Sequence, residues 1–573
     1  MSLQFITGNS GNGKTKYLFN RIVKEAKANP RDNYLVIVPE QFTMQTQRQL
    51  VDLSENKAIM NIDVLSFKRL AYRVFDELGI TNLTVLEETG KNLVLRKLAA
   101  QEADKLGVIG RNLNRIGYIS EVKSLLSELV QYNISPEELG RYIASGRLSD
   151  TLSDKLKDVL VLYEAFEKFM QDKYITAEEI LNVLSNVAEE SAILRNSVIA
   201  FDEFTGFTPI QNQLIKKLFV ISKKIYVTLT IDCREDIFKS RGMQELFDMP
   251  KRTVKSLTEM AAFYGIEVEE PIILDKNYRL AENEELSFME QQLFRKRRCS
   301  FKKAPKHIHI DCLRDPKQEL TKIARRINEL VRNENLRYRD IAIVTGDVNI
   351  YAGYVREIFD KYNIPYFIDA TQEILFHPFI EFIRSIPDIA AQNFSADAVF
   401  RFLRCGFSEL LGSEIDVLEN YVLACGVRGK SAWDKKWVRL PKHKAGYDLE
   451  LLNQSREYIM ELLKPVYQVF SDKKSTVKDY VLAIYKLIVL LDIPDKLAKK
   501  EQALLDAGDQ TASKEYGQIY KIVMQLFEKY VAVLGDECMD AEEFTQILDA
   551  GLDAADVAVI PPGYDTVTIG DIE

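Results

Sequence analysis

Residues 3–19 read LQFITGNSGNGKTKYLF. Leu3 to Thr7 is a short apolar run with the look of a buried strand. Gly8, Asn9, Ser10, Gly11, Asn12, Gly13, Lys14 and Thr15 then follow the spacing G-x-x-x-x-G-K-[ST]. The run KTKYLFNRIVKEAK after it reads as a helix. Strand, glycine loop and helix in that order are the setting a phosphate-binding loop needs. Glycines let successive N–H groups turn inward around phosphate oxygens, and the helix start adds its positive dipole end. Gly8, Ser10, Gly11, Asn12, Gly13, Lys14 and Thr15 are the expected nucleotide-binding residues. Lys14 is placed to neutralise the β- and γ-phosphates and the Thr15 hydroxyl to hold Mg²⁺, so ATP with magnesium is the expected ligand.

At 573 residues the chain is too long for one core, since single cores rarely exceed about 250–300 residues. No run approaches the roughly 20 apolar residues of a membrane span, and no membrane role is expected. The chain enters its first strand without a signal peptide, and Cys233, Cys299, Cys312, Cys405, Cys425 and Cys538 are scattered with no C-x-x-C pair. Both features predict a reducing, cytoplasmic setting. The net charge of -9 disfavours indiscriminate binding to nucleic acid but leaves room for a local basic groove.

Alternation of strand and helix predicts an α/β fold with parallel sheets. YLVIVPE (Tyr34 to Glu40), NIDVLSF (Asn61 to Phe67), SVIAFDEF (Ser197 to Phe204) and KIYVTLTID (Lys224 to Asp232) read as strands. Residues 1–84 plus 195–285 form the expected first α/β domain, with 85–194 as a helical insertion. Residues 286–375 plus 560–573 are the expected start of a second, containing KHIHIDCL (Lys306 to Leu313) and DIAIVTG (Asp340 to Gly346) as strands. Residues 376–559 read as a second helical insertion. The terminal DTVTIGDIE looks like a strand just begun, so a truncated chain is expected.

Asp202 and Glu203 end an apolar strand, on the side of an α/β sheet where ligands bind. Beside a phosphate loop, Asp202 is the candidate magnesium partner and Glu203 the candidate to orient or deprotonate water. The segment DEFTGFTPIQ resembles the D-E-F-Q-D-T-x-x-x-Q motif of superfamily 1 helicases of the UvrD/Rep type. Asp202, Glu203, Phe204 and Gln211 are in place; Thr205, Gly206 and Phe207 replace Q-D-T. LDKNYRL (Leu274 to Leu280) resembles that group's L-x-x-N-Y-R motif, which implies that Arg279 reaches the γ-phosphate. VLSFKRLAYRVF resembles its V-x-T-F-H-S-L segment through Ser66, Phe67 and Leu70. Within the group, Gly8 to Thr15 with Val38 to Gln41 and Thr43 resemble the AddB family of the AddAB helicase–nucleases, as does PPGYDTVTIGDIE.

That resemblance implies two RecA-like P-loop domains carrying the two helical insertions. It implies an ATP-dependent protein that binds DNA ends and single strands and pairs with a larger helicase–nuclease partner, the A component of the heterodimer. The heterodimer processes double-strand breaks for recombinational repair. The resemblance also implies a C-terminal nuclease domain with an iron–sulfur cluster, expected beyond Glu573. A self-sufficient helicase motor is the alternative. Three departures predict slow or dispensable hydrolysis. Only two residues precede Leu3, where the group carries an adenine-reading glutamine. IDCREDIF puts Glu235 in the slot of a γ-phosphate glutamine, and a carboxylate there repels phosphate. The sixth motif is expected beyond Glu573.

Single strands need cations for phosphates and flat faces for bases. Phe42, Phe67, Lys68, Arg69 and Tyr278 fall in segments resembling the DNA-facing edge of such motors. Phe67 as core, with Lys68 and Arg69 solvated, is the competing reading. The basic run Arg295 to Arg298 with Lys302 and Lys303 fits DNA or a solvated linker equally. Trp433 and Trp437, at helical spacing, read as packing residues.

Overall fold

The computed structural model describes residues 1–80, 85–108, 118–145, 148–171, 174–295, 299–368, 372–373, 376–441, 447–553, 556–557 and 565–571. The chain divides into two compact units, one of residues 1–87, 124–153 and 167–311, the other of 88–123, 154–166 and 312–573.

The first unit is built on strands β1 (Ser2–Gly8), β2 (Tyr34–Ile37) and β3 (Ile62–Leu65), then β4 (Val85–Leu86) and β5 (Ile175–Thr176), β6 (Val198–Phe201), β7 (Lys224–Thr230), β8 (Glu267–Val268) and β9 (Ile272–Leu274). The main sheet runs β3-β2-β6-β7-β1-β8, with β9 also on β1, and its pairs are parallel. β4 and β5 form a separate parallel pair. Ser2 to Gly8 lie opposite Lys224 to Thr230, and β8 and β9 take the other side, so β1 is an interior strand. A parallel sheet covered on both faces demands apolar side chains at even and odd positions alike. Leu3, Phe5, Leu35, Ile37, Ile199 and Phe201 pack on one face; Ile6, Tyr34, Val36, Val198 and Ala200 pack on the other. Helices α1 (Lys14–Ala28) and α2 (Thr43–Leu53) cover the second face through Leu18, Phe19, Ile22 and Leu50. The first face is covered by α3 (Phe67–Leu78) and by helices Ile180–Val187, Pro209–Ile221 and Asp248–Phe263.

Local chemistry fixes the helix starts. Ser66 caps α3 by accepting from the Arg69 N–H at 3.3 Å. Thr208 and Gln211 form a reciprocal capping box ahead of Pro209. Gln211, in place for a helicase motif, is therefore engaged in capping.

The second unit has a three-stranded parallel sheet, β10 (Ala342–Thr345), β11 (Tyr366–Ile368) and β14 (Val567–Asp571), in the order β10-β14-β11. β12 (Gln372–Glu373) and β13 (Asp556–Val557) pair antiparallel. Between β12 and β13 the regular elements among the described residues are all helices, from Pro378–Ala391 to Ala541–Asp553. Trp433 and Trp437 are buried there, ring centroids 5.2 Å apart, and act as packing residues. Helix Glu88–Gln101 belongs to this unit; Leu93 joins its core and Lys97 pairs with Glu537 at 2.7 Å.

One expected strand is not formed. Lys306 to Leu313 adopt no regular structure, and Ile310 is 94% exposed. The N–H groups of Lys306 and His307 donate to the two Glu285 carboxylate oxygens, at 2.6 and 2.8 Å, rather than to a neighbouring strand. Strands β8 and β9 and the helix Asp248–Phe263 are additions to the elements expected from the sequence.

Phe201 sits under the candidate site, fully buried, against the rings of Phe67, Phe204 and Phe207 at 5.8, 6.2 and 5.2 Å. Phe201→Ala is expected to cost about 3–5 kcal/mol of stability. Urea unfolding of the variant against the parent checks this.

Candidate nucleotide site

β1 delivers the chain at Gly8 and α1 takes it up at Lys14, so residues 9–13 must turn sharply. Gly11 and Gly13 do so with φ of 86° and 78°, a left-handed region that side chains rarely tolerate. The space there is also closed. A Cβ on Gly11 would stand 2.8 Å from the Arg279 Cβ, and one on Gly8 2.6 Å from the Leu274 carbonyl oxygen.

The reason is a second segment lying across the loop. β9 pairs with the loop end of β1, so the chain leaves Leu274 beside Gly8. The Tyr278 and Arg279 N–H groups both donate to the Gly11 carbonyl, at 3.0 and 3.3 Å. The Asn277 side chain donates to the Ser10 carbonyl at 3.0 Å, and Asn12 donates to the Leu274 carbonyl at 2.6 Å. Asn9 is buried and donates to Glu290 at 2.8 Å while accepting from the Cys233 N–H at 3.0 Å. The sequence does not announce these roles of Asn9, Asn12 and Asn277. Only the place of Asn277 inside the N-Y-R segment signals one of them.

Lys14 donates to the Asn9 carbonyl at 3.1 Å. Burial draws its pKa below the usual ammonium value, opposed by the nearby charges of Glu203 and Asp202. Thr15 donates to Glu203 at 3.1 Å. Asp202, at the tip of β6, is 1% exposed. One oxygen accepts from the Thr228 hydroxyl and the other, Oδ2, has no hydrogen-bond partner among the described residues. Burial, reinforced by the neighbouring Glu203 charge and opposed by Thr228, pushes its pKa up to about 6. Glu203 is held at a φ of 63°, an unfavoured conformation for glutamate and one that clusters at functional sites.

A cavity of about 650 Å³ opens over the loop, lined in part by Gly11, Gly13, Lys14, Thr15, Glu203, Tyr278 and Arg279. Its far wall is α2 and Phe42. Lys14, Thr15, Glu203, Tyr278 and Arg279 thus share one cavity, with Asp202 beneath. The donor set fits a magnesium–triphosphate group. It combines a positive-φ glycine cradle, a lysine whose resting partner is a neutral carbonyl, a threonine hydroxyl and an orphaned buried carboxylate oxygen. Among the described residues no three His, Cys, Asp or Glu side chains converge as a metal cluster, and no helix is long and apolar enough to cross a membrane.

Glu235 does not line this cavity. Its carboxylate is 2.7 Å from Lys251, a buried lysine that also meets Glu245 at 3.2 Å. Asp232, at the end of the adjacent β7, is saturated instead by Arg234 and Arg295, at 2.6 and 2.9 Å. Burial acts to raise Asp232, but the Arg234 hydrogen bonds and both guanidinium charges outweigh it and bring the pKa down to about 2.

The five DNA candidates separate. Phe42 and Tyr278 line the loop cavity, with Tyr278 65% exposed and Lys276 over its ring at 5.0 Å. Phe67 and Lys68 border a smaller cavity of about 320 Å³ with Glu40 and Phe204. Phe67 itself is 7% exposed, its ring packed among Phe201, Phe204 and Phe207. Arg69 is exposed and lies 3.8 Å from Glu40. Residues 296–298 of the basic run lie outside the described residues, and Arg295 is spent on Asp232.

A parallel sheet whose first strand feeds a glycine loop and a helix, roofed by a distant segment, defines a parallel α/β protein with a nucleotide-type loop. Residues 5–290 match the family model described as "ADDB, N-terminal", and the chain belongs to that family. The B subunit of an ATP-dependent helicase/deoxyribonuclease from Lachnoclostridium phytofermentans is 38% identical over all of this chain and 51% of its own length. Proteins of the same description from Clostridium acetobutylicum and Clostridioides difficile are 32% and 31% identical, over all of this chain and 50% of theirs. The chain spans about half the length of the curated relatives it matches.

Asp232 supplies a pH test. Its pKa is lowered on folding, so its contribution is full above about 4 and is lost as pH falls towards 2. Asp232→Asn leaves Arg295 without its charged partner and is expected to cost about 3–5 kcal/mol at pH 7. The gap to the parent should narrow between pH 4 and 2, as read from urea midpoints across that range.

Proposed function

We propose that this chain is the ATP- and DNA-binding part of one half of a heterodimeric helicase–nuclease that processes DNA double-strand breaks for recombinational repair. The observation that carries the reading is the clamp of Asn277, Tyr278 and Arg279 on the Ser10–Gly11 turn, opposite Asp202 and Glu203. The description of the relatives as parts of ATP-dependent helicase/deoxyribonucleases supports it. We assign residues 1–84 plus 195–285 to a first RecA-like motor domain of the superfamily 1 type and 286–375 plus 560–573 to the start of a second. Residues 85–194 and 376–559 are then the inserted subdomains. A larger helicase–nuclease chain is the partner and the cytoplasm the location. The nuclease with its iron–sulfur cluster belongs to the part of the relatives' length that this chain does not span.

In this reading Lys14 exchanges the Asn9 carbonyl for phosphate oxygens, a neutral acceptor for a charged one. Thr15 and Asp202 would hold Mg²⁺, and Glu203, freed from the Thr15 hydroxyl, would position a water. Magnesium and ATP supply a polarised γ-phosphate when bound. Arg279 stands at the cavity mouth, exposed and able to reach that phosphate. Tyr278, Lys68 and Arg69 offer an open ring and two cations for a single strand, with Phe42 and Phe67 shaping the surface between them. The pairing of Glu235 with Lys251 leaves the γ-phosphate without the glutamine of ordinary motors, which favours holding nucleotide over fast turnover.

The test is the complete heterodimer carrying Lys14→Ala or Glu203→Gln in this chain. Lys14→Ala should weaken ATP binding at this site at least tenfold, while Glu203→Gln should keep it. Both should leave degradation of duplex ends by the heterodimer within about threefold of the parent. Loss of all DNA-stimulated ATP hydrolysis with Glu203→Gln here supports the self-sufficient motor instead. Failure of the heterodimer to bind DNA ends sinks the proposal.

A further inference from the structure

The loop accounts for one end of the cavity; α2 forms the other. Gln45, Gln49 and Asp52 recur at helical spacing on one face of α2, and all three line the cavity with Phe42. Gln45 and Gln49 are exposed, and neither amide has a hydrogen-bond partner among the described residues. Asp52 is tied back by Lys57, which donates to its carbonyl at 2.7 Å and stands 3.7 Å from its carboxylate. The polar groups this wall offers are therefore two exposed primary amides and the hydroxyl of the largely buried Thr46. The cavity, about 650 Å³ in all, is lined both by the phosphate loop and by α2, so a nucleotide held by its phosphates on Gly11 to Thr15 shares one space with Gln45 and Gln49.

We propose that Gln45 and Gln49 are base-reading residues that make this cavity select adenine nucleotides. The inference rests on the nucleotide reading above. An amide presents one acceptor and one donor side by side. That is the complement of the adenine edge, where N6–H donates and N7 accepts. Guanine presents two acceptors on the same edge, so one of them meets the amide oxygen and is rejected. Phe42, half-buried at the foot of α2, supplies a flat face against which a base can lie.

The experiment is calorimetric titration of the full-length protein, in magnesium chloride, with ATP, GTP and tripolyphosphate. ATP should bind roughly tenfold more tightly than either of the others. Gln45→Ala with Gln49→Ala should cut both margins to about twofold. Tripolyphosphate binding, which reads the loop alone, reports that the variant is folded. Lys14→Ala should weaken all three ligands together. An ATP margin that survives the double substitution overturns the inference and leaves the nucleotide reading intact; so does a preference for GTP. Binding of none of the three by the parent overturns the nucleotide reading, and the inference with it.

Discussion

The carbonyl oxygen of Gly11 accepts two successive backbone N–H groups, those of Tyr278 and Arg279. The rest of the site depends on that one acceptor. It needs a glycine, because any Cβ at residue 11 collides with Arg279. It also needs β9 on the edge of β1, because only that register brings Leu274 out beside Gly8. The roof over the cavity is thus a product of sheet topology. A loop recognised from eight adjacent residues is completed by a segment more than 260 positions away.

Two carboxylates at the ends of neighbouring strands show how surroundings assign roles. Asp202 ends β6 with one oxygen unpartnered and its pKa up at about 6; Asp232 ends β7 between two arginines, at about 2. Both side chains are 1% exposed. The difference is charge compensation. The first has an unmet demand for a cation; the second has met its own from within the chain and ties the Arg295 segment to the sheet.

The main strands were legible in the sequence because a parallel sheet covered on both faces leaves unbroken apolar runs, as in Tyr34 to Ile37 and Val198 to Phe201. Asp202 and Glu203 were legible because they follow such a run, and Lys14 and Thr15 because the glycine spacing after β1 marks them. Strand β8 and the clamp asparagines were not, since short edge strands and buried amides carry no periodic signal. The alternation of Lys306 to Leu313 misled, because alternation records side-chain polarity and says nothing of who takes the backbone N–H groups. Here Glu285 takes them. Glu235 misled in the same way: its slot is set by spacing, its direction by Lys251.

The interior place of β1, between strands that come much later in the chain, has a consequence for how the protein is made. Ser2 lies opposite Lys224 and Glu267, so β1 leaves the ribosome some 220 residues ahead of either neighbour. At roughly 5–20 residues per second that is a wait on the order of 10–40 seconds. During it, the strand has α1 against one face but no native strand on either edge. Synthesis of this fold therefore favours a cell that shelters nascent chains, and the strand that makes the nucleotide loop is also the one most exposed to mispairing.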